Sequence, residues 1–293
     1  MNMKRLVLIA ALFLTAALSS YAWNNTGHAA VAQIAENHIS KKTKKALKKY
    51  LKGTDIVEIA SYADRYYYQW YRDIGWECTN PRILRRKPSE LDLQPTNLEP
   101  WCHSYSVDSL YRTYRHNREG DEYVRNCIMD LDWLVHNLKE NIATMDSEEV
   151  LKEIAEVVHL TGDFHCPMHI LYIPMAPTGG KYSIYINGEK INIHTFWDTR
   201  IWGFLNKGWT YSEFAEAADT ATKEEIAEIT KGDVYDWGSA NAVAALPAHH
   251  LTNATREQRE FDSSYAESMR WLAYQQLRNG GYRLAKLLDY IFE

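Results

Sequence analysis

The chain has 293 residues, with 33 basic against 38 acidic side chains and a formal net charge of −5. That length can bury one large hydrophobic core. The acidic balance argues against a protein that grips a polyanion through a broad basic face, so such a partner would have to be met by local charge.

Lys4 and Arg5 precede an apolar run from Leu6 to Leu18, and Ser20-Tyr21-Ala22 follows with small residues where a signal peptidase reads. The run is shorter than the roughly 20 residues of a membrane span. Residues 1–22 are therefore expected to be a signal peptide and residues 23–293 one domain, secreted or periplasmic, with no membrane span after cleavage. Trp23 would become the first residue. Loss of Lys4 and Arg5 leaves 31 basic against 38 acidic residues, a balance of −7. An exported chain permits disulfides among Cys78, Cys102, Cys127 and Cys166, in any of three full pairings. The absence of a CxxC pair argues against a thiolate zinc site.

Helices are expected over most of the chain. Residues 26–39 place Ala29, Ala32, Ile34 and Ala35 at helical spacing. Residues 41–51 carry a Lys-rich solvated face behind Ser40 as N-cap. Further helices are expected over 54–69, 121–142, from Ser147 to about His165 before Pro167, 211–231 and 262–291. Residues 73–101 hold Pro81, Pro88, Pro95 and Pro100 and read as a long loop. Residues 181–193 alternate Tyr182, Ile184 and Ile186 with Ile191 and Ile193 around Asn187-Gly188, a strong hairpin signal. The fold class is all-α, a single multi-helix domain with one small β-hairpin.

The stretch from His159 to His169 holds His159 and Asp163 four residues apart, on one face of a helix. Pro167 ends that helix and frees His169 to turn toward a second ion. His194 and Asp198 repeat the four-residue spacing directly after the hairpin. One such pair would usually be a surface ion pair; two pairs plus His169 within forty residues point to metal. Imidazole and carboxylate donors suit zinc among the divalent ions. Clustered cations would also supply the positive charge that the chain lacks.

These residues resemble the type I nuclease family, the S-one/P-one nucleases of fungi, plants and bacteria, whose structural cousins are the zinc-dependent bacterial phospholipases C. The resemblance runs from Trp23 and His28 through Ala60-Ser61-Tyr62-Ala63-Asp64 and Trp101-Cys102-His103-Ser104-Tyr105 to Asp198. It implies three zinc ions. One would be held by Trp23, through its terminal amine and carbonyl, with His28 and Asp163. A close neighbour would be held by Asp64, His103, His159 and the shared Asp163. The third would be held by His169, His194 and Asp198, and its last ligand being Asp favours the nuclease branch over the phospholipase branch.

The resemblance further implies hydrolysis of single-stranded DNA and RNA to 5′-phosphorylated products, with 3′-nucleotides as further substrates. Asp108 matches an acidic residue beside the attacking water or the base, and Arg200 falls where some members contact phosphate. Ser104 stands where the pattern leads one to expect an aromatic or apolar residue, and Tyr105 is the expected replacement for base stacking. Arg82, Arg85, Arg86 and Lys87 read as a solvated loop. His38, His116, His136, His165, His249 and His250 have no place in the ligand pattern. No obligate protein partner is evident. The alternatives are a zinc-dependent phospholipase C and a non-catalytic exported zinc-binding protein.

Overall fold

Asn24, Ser40, Asn126 and Asp146 each stand immediately before a helix, and each side chain accepts hydrogen bonds from the first backbone N–H groups. Two of these caps, Asn24 and Asp146, set the starts of the helices that carry site residues. The computed structural model describes residues 23–61, 85–86, 103–113, 123–124, 126–172 and 182–293. The leader segment, Asp64, Cys78, Cys102 and His116 lie outside the described residues.

Counting helices of seven residues or more, α1 is Asn25–His38, α2 Lys41–Tyr50, α3 Cys127–Asn141 and α4 Ser147–Asp163. They are followed by α5 Tyr211–Ala218, α6 Lys223–Ile229, α7 Val234–Ala244 and α8 Arg270–Phe292. The all-α class holds. The spine is α8 laid along α1, with α5, α3 and α4 packed against them. Gly281 permits the approach: a Cβ there would lie 2.3 Å from Ile34 Cγ2 and 3.2 Å from the Val31 carbonyl. Ile34, Leu272, Leu277, Leu284 and Leu288 are fully buried around this contact. Each such side chain contributes roughly 1.5–3 kcal/mol of hydrophobic stabilisation.

Several boundaries differ from the sequence expectation. Of the helix expected over 54–69, residues 56–61 form turns, opened by Asp55 accepting from the N–H groups of Val57 and Glu58, and residues 62–69 lie outside the described residues. The expected helix over 121–142 starts at Cys127, since Tyr123–Val124 (β3) pairs antiparallel with Arg85–Arg86 (β1). That pairing also places a short strand inside the expected loop over 73–101. The segment 211–231 splits into α5 and α6 because Thr222 and Glu225 form a second capping box within it. The segment 262–291 is likewise two helices, Ser264–Ser268 and α8.

The hairpin forms as expected. Strands β5 Ser183–Ile186 and β6 Glu189–Asn192 flank Asn187 and Gly188, with φ of 52° and 81°. Both central residues are left-handed, as a type I′ turn requires. Glu260–Phe261 (β7) adds a parallel strand at the β5 edge. More important for the site is a three-residue parallel pairing that the sequence did not signal. Tyr105–Val107 (β2) lies beside Ile170–Tyr172 (β4), with Tyr105 opposite Ile170. It sets His103 and His169, just upstream of the two strands, side by side.

Candidate metal centre

Helix α4 presents His159 and Asp163 one turn apart, both fully buried, with His159 Nε2 3.3 Å from Asp163 Oδ2. His28 reaches the same carboxylate from α1, its Nε2 3.3 Å from Oδ1. It stacks on the His159 ring at 4.2 Å between centroids. His103 arrives from the segment before β2, with Nδ1 2.5 Å from Asp163 Oδ2 and 3.2 Å from His159 Nε2. One buried carboxylate thus faces three imidazoles from three parts of the chain. Gly162 makes room for this: a Cβ there would lie 2.3 Å from His28 Nδ1.

After α4 the chain turns through Cys166 into a 3₁₀ turn, Pro167–His169. His169 leads toward a second group. Its Nε2 lies 3.1 Å from His194 Nε2 and 3.8 Å from Asp198 Oδ1, while His194 Nε2 lies 3.0 Å from Asp198 Oδ2. His194 is in a single helical turn capped by Asn192, and Asp198 in the π-helical turn Phe196–Arg200 that follows. His169 Nδ1 is 3.7 Å from Asp163 Oδ1, so the two groups adjoin.

The imidazoles are oriented by backbone carbonyls. His159 Nδ1 donates to the Ala60 carbonyl at 3.0 Å, which leaves Nε2 as a lone-pair donor toward Asp163. His169 Nδ1 donates to the His103 carbonyl at 2.5 Å and leaves Nε2 toward His194. This is how ligating imidazoles are usually held. Burial pushes the His169 imidazole down to about 3, against the pull of Asp163, so it stays neutral. Burial alone would raise Asp163, but the imidazoles of His159 and His103 hold its carboxyl well below the usual range.

The donor spacing fits a divalent cation. Bonds of roughly 2.0–2.1 Å directed tetrahedrally leave ligand atoms about 3.3 Å apart. The separations of His28 and His159 from Asp163 are 3.3 Å, and His103–His159, His169–His194 and His194–Asp198 fall at 3.0–3.2 Å, while His103–Asp163 is closer at 2.5 Å and His169–Asp198 wider at 3.8 Å. Two imidazole nitrogens facing each other at 3.1 Å need either a shared proton or a cation that takes both lone pairs. His28, His159 and Asp163 form one group able to hold an ion, and Cys166, His169 and Asp198 another.

Trp23 is fully buried and packs edge-on against Trp202, centroids 5.6 Å apart. Gly27 leaves space for it, since a Cβ there would sit 3.0 Å from the Trp23 ring. The next residue, Asn24, donates its backbone N–H to the Asp198 carbonyl at 2.7 Å. The residue after Trp23 is thus bonded to the backbone of Asp198, in the second donor group.

Three expectations meet a different setting. Asp108 spends its carboxylate on its own turn, accepting from the N–H groups of Leu110 and Arg112 and pairing with the Arg112 guanidinium at 2.9 Å. Arg200 forms a two-pronged pair with Glu189, at 2.8 and 3.0 Å, on the surface. Tyr105 is corrected: it is 1% exposed, with its hydroxyl on the Gly238 carbonyl, so it belongs to the core and offers no face to a base.

The sequence reading also passed over residues that support the site. The buried Arg283 guanidinium donates to Asn241 at 2.8 Å and to His165 at 3.0 Å, while Asn241 donates to the Phe164 carbonyl. This network, from α8 and α7, braces the end of α4 where Asp163 lies. His249 donates to the Pro167 carbonyl at 2.8 Å. No local pattern announces such contacts, which join residues far apart in the chain.

Fold and site together define a helical protein with two adjoining groups of buried imidazole and carboxylate donors suited to divalent cations. The family model described as S1/P1 Nuclease matches residues 23–293, and its match begins at Trp23. The chain belongs to the S1/P1 nuclease family, whose members are zinc-dependent hydrolases of nucleic acid. Among curated relatives, Nuclease S1 of Aspergillus oryzae is 25% identical over 313 residues, covering 99% of this chain and 98% of the relative. Endonuclease 2 of Arabidopsis thaliana is 22% identical over 308 residues, covering 98% and 96%. Endonuclease 4 of the same plant is 22% identical over 286 residues, covering 92% and 89%. The family match takes the nuclease branch over the phospholipase branch.

Proposed function

We propose that this family nuclease holds three zinc ions and hydrolyses single-stranded DNA and RNA to 5′-phosphorylated products, with 3′-nucleotides as further substrates. The observation that carries this reading is the convergence of His28, His103 and His159 on one buried carboxylate, Asp163, beside the His169–His194–Asp198 group.

In this proposal the terminal amine and carbonyl of Trp23 join His28 and Asp163 on one ion. Asp64, His103, His159 and Asp163 hold the second, and His169, His194 and Asp198 the third. The expected signal cleavage would create that amine, with an ordinary pKa near 7.7–8.0, so a metal displaces its proton at modest cost. Bound zinc supplies a water of lowered pKa and positive charge for the phosphoryl oxygens. The chain's own contribution is to orient the imidazoles through the Ala60 and His103 carbonyls and to keep His169 neutral by burial.

Arg200 is proposed to exchange Glu189 for a substrate phosphate, a two-pronged geometry that a guanidinium makes equally well with either partner. Asp108 is proposed to face the attacking water or the base, which requires it to give up part of its bonding to Arg112. The protein would act outside the cytoplasm as one domain, residues 23–293; among the described residues no helix is long and apolar enough to cross a membrane.

The test is digestion of single-stranded DNA, single-stranded RNA and duplex DNA by purified zinc-loaded protein, with end-group analysis and a chelated control. Cleavage of both single strands with 5′-phosphate ends, abolished by chelation and restored by zinc, is expected. Intact single strands across acidic to neutral pH would overturn the proposal.

A further inference from the structure

Cys166 is fully buried in the turn between Asp163 and His169, and it carries a free thiol. Its backbone N–H donates to the Asp163 carbonyl at 2.9 Å, and its carbonyl accepts from the His169 N–H at 3.0 Å. The side chain turns to neither. Its Sγ lies 3.2 Å from Oδ1 of Asp198, which comes from the π-helical turn more than thirty residues later. The other oxygen of that carboxylate, Oδ2, is buried, with His194 Nε2 beside it at 3.0 Å. A buried anionic oxygen is costly unless a cation meets it.

Two roles for the sulfur are conceivable, and the donor count separates them. A thiolate added to His169, His194 and Asp198 would close a four-coordinate site, as in structural zinc. A catalytic ion keeps one position open. A neutral thiol donating to the carboxylate leaves three protein ligands and the open position.

We propose that Cys166 is a positioning residue for Asp198: its thiol donates to Oδ1 and so leaves Oδ2 for an ion shared with His169 and His194. Partners of this outer kind fix ligand orientation, and their loss typically lowers metal affinity about 10–100-fold. The contact also couples the two groups, because the turn that aims the Asp198 carboxylate is the one that joins Asp163 to His169. This inference rests on the reading of His169, His194 and Asp198 as one metal site.

The experiment compares zinc retained against a graded chelator by the wild type, Cys166→Ser and Cys166→Ala, with circular dichroism to confirm folding. Cys166→Ala is expected to release one ion at about 10–100-fold lower chelator strength while holding the others, and Cys166→Ser, which keeps a donor, to stay close to wild type. Cadmium loading of the wild type gives an independent readout that needs no variant: no cadmium–thiolate charge-transfer absorption is expected. That absorption, or a Cys166→Ala variant that folds and holds every ion as tightly as wild type, would overturn the role of Cys166 alone. A wild type without an ion at this site would overturn the metal assignment beneath it.

Discussion

The backbone N–H of Asn24 donates to the carbonyl of Asp198 across 2.7 Å, joining the residue that caps α1 to one 174 positions later. Asp198 thus takes part twice, its carbonyl fixing the segment that leads into α1 and its carboxylate facing His194. Trp23 anchors the same junction from within the core. Trp23→Ala removes a fully buried indole and is expected to cost about 3–5 kcal/mol of stability. It should also loosen the chain start, so that zinc is lost at lower chelator strength. Denaturant unfolding together with metal analysis checks both effects.

Asp163 and Asp198 differ in how many donors they serve. Asp163 faces imidazoles from His28, His103 and His159, whereas Asp198 faces His194 and, more distantly, His169. Asp163→Asn is therefore expected to release two zinc ions and Asp198→Asn one. Metal analysis of the two folded variants decides this; equal losses would show that Asp163 is not shared.

Two glycines test the packing behind the site at different severity. A Cβ at residue 162 would fall 2.3 Å from His28 Nδ1, and one at residue 27 would fall 3.0 Å from the Trp23 ring. Gly162→Ala is expected to displace His28 and lower activity at least about tenfold, with overpacking costing about 1–3 kcal/mol. Gly27→Ala should be the milder change by both measures. Activity per folded molecule and thermal unfolding separate the two.

Glu153, buried on α4, accepts from the Asn137 amide at 2.9 Å through both oxygens. Burial outweighs that bond and raises its carboxyl to about 7 from 4.5. The folded state thus binds the proton more tightly than the unfolded state. Stability is full below the unfolded pKa and falls as pH rises from about 4.5 through about 7. Glu153→Gln removes the ionisable group and is expected to stabilise the protein by about 1–3 kcal/mol near pH 8, with little effect near pH 4. Unfolding midpoints at the two pH values check the sign.

Much of this was written in local pattern. Asn24, Ser40 and the Asn187-Gly188 step mark their elements by their own backbone chemistry, and the four-residue spacing of His159 and Asp163 needs only a helix to become a shared face. His194 and Asp198 meet through a π-helical turn instead, a widened ladder that spacing alone does not reveal. Tyr105 illustrates what pattern misses: the departure at Ser104 pointed to it as the ring that stacks a base, but the parallel pairing of β2 with β4 turns it inward. The Arg283–Asn241–His165 bracing and the Cys166–Asp198 contact likewise depend on tertiary placement.

The amine of Trp23 completes the zinc cluster proposed above. Its most direct test is zinc content per chain for exported, cleaved protein beginning at Trp23, against a form with one extra residue before it. About three ions in the first and one fewer in the second are expected, from a neutral amine that ligates only when it is terminal. Fewer than about two ions in both forms would contradict the ligand assignment built on His/Asp donors, and equal counts near three would remove the terminal amine from it.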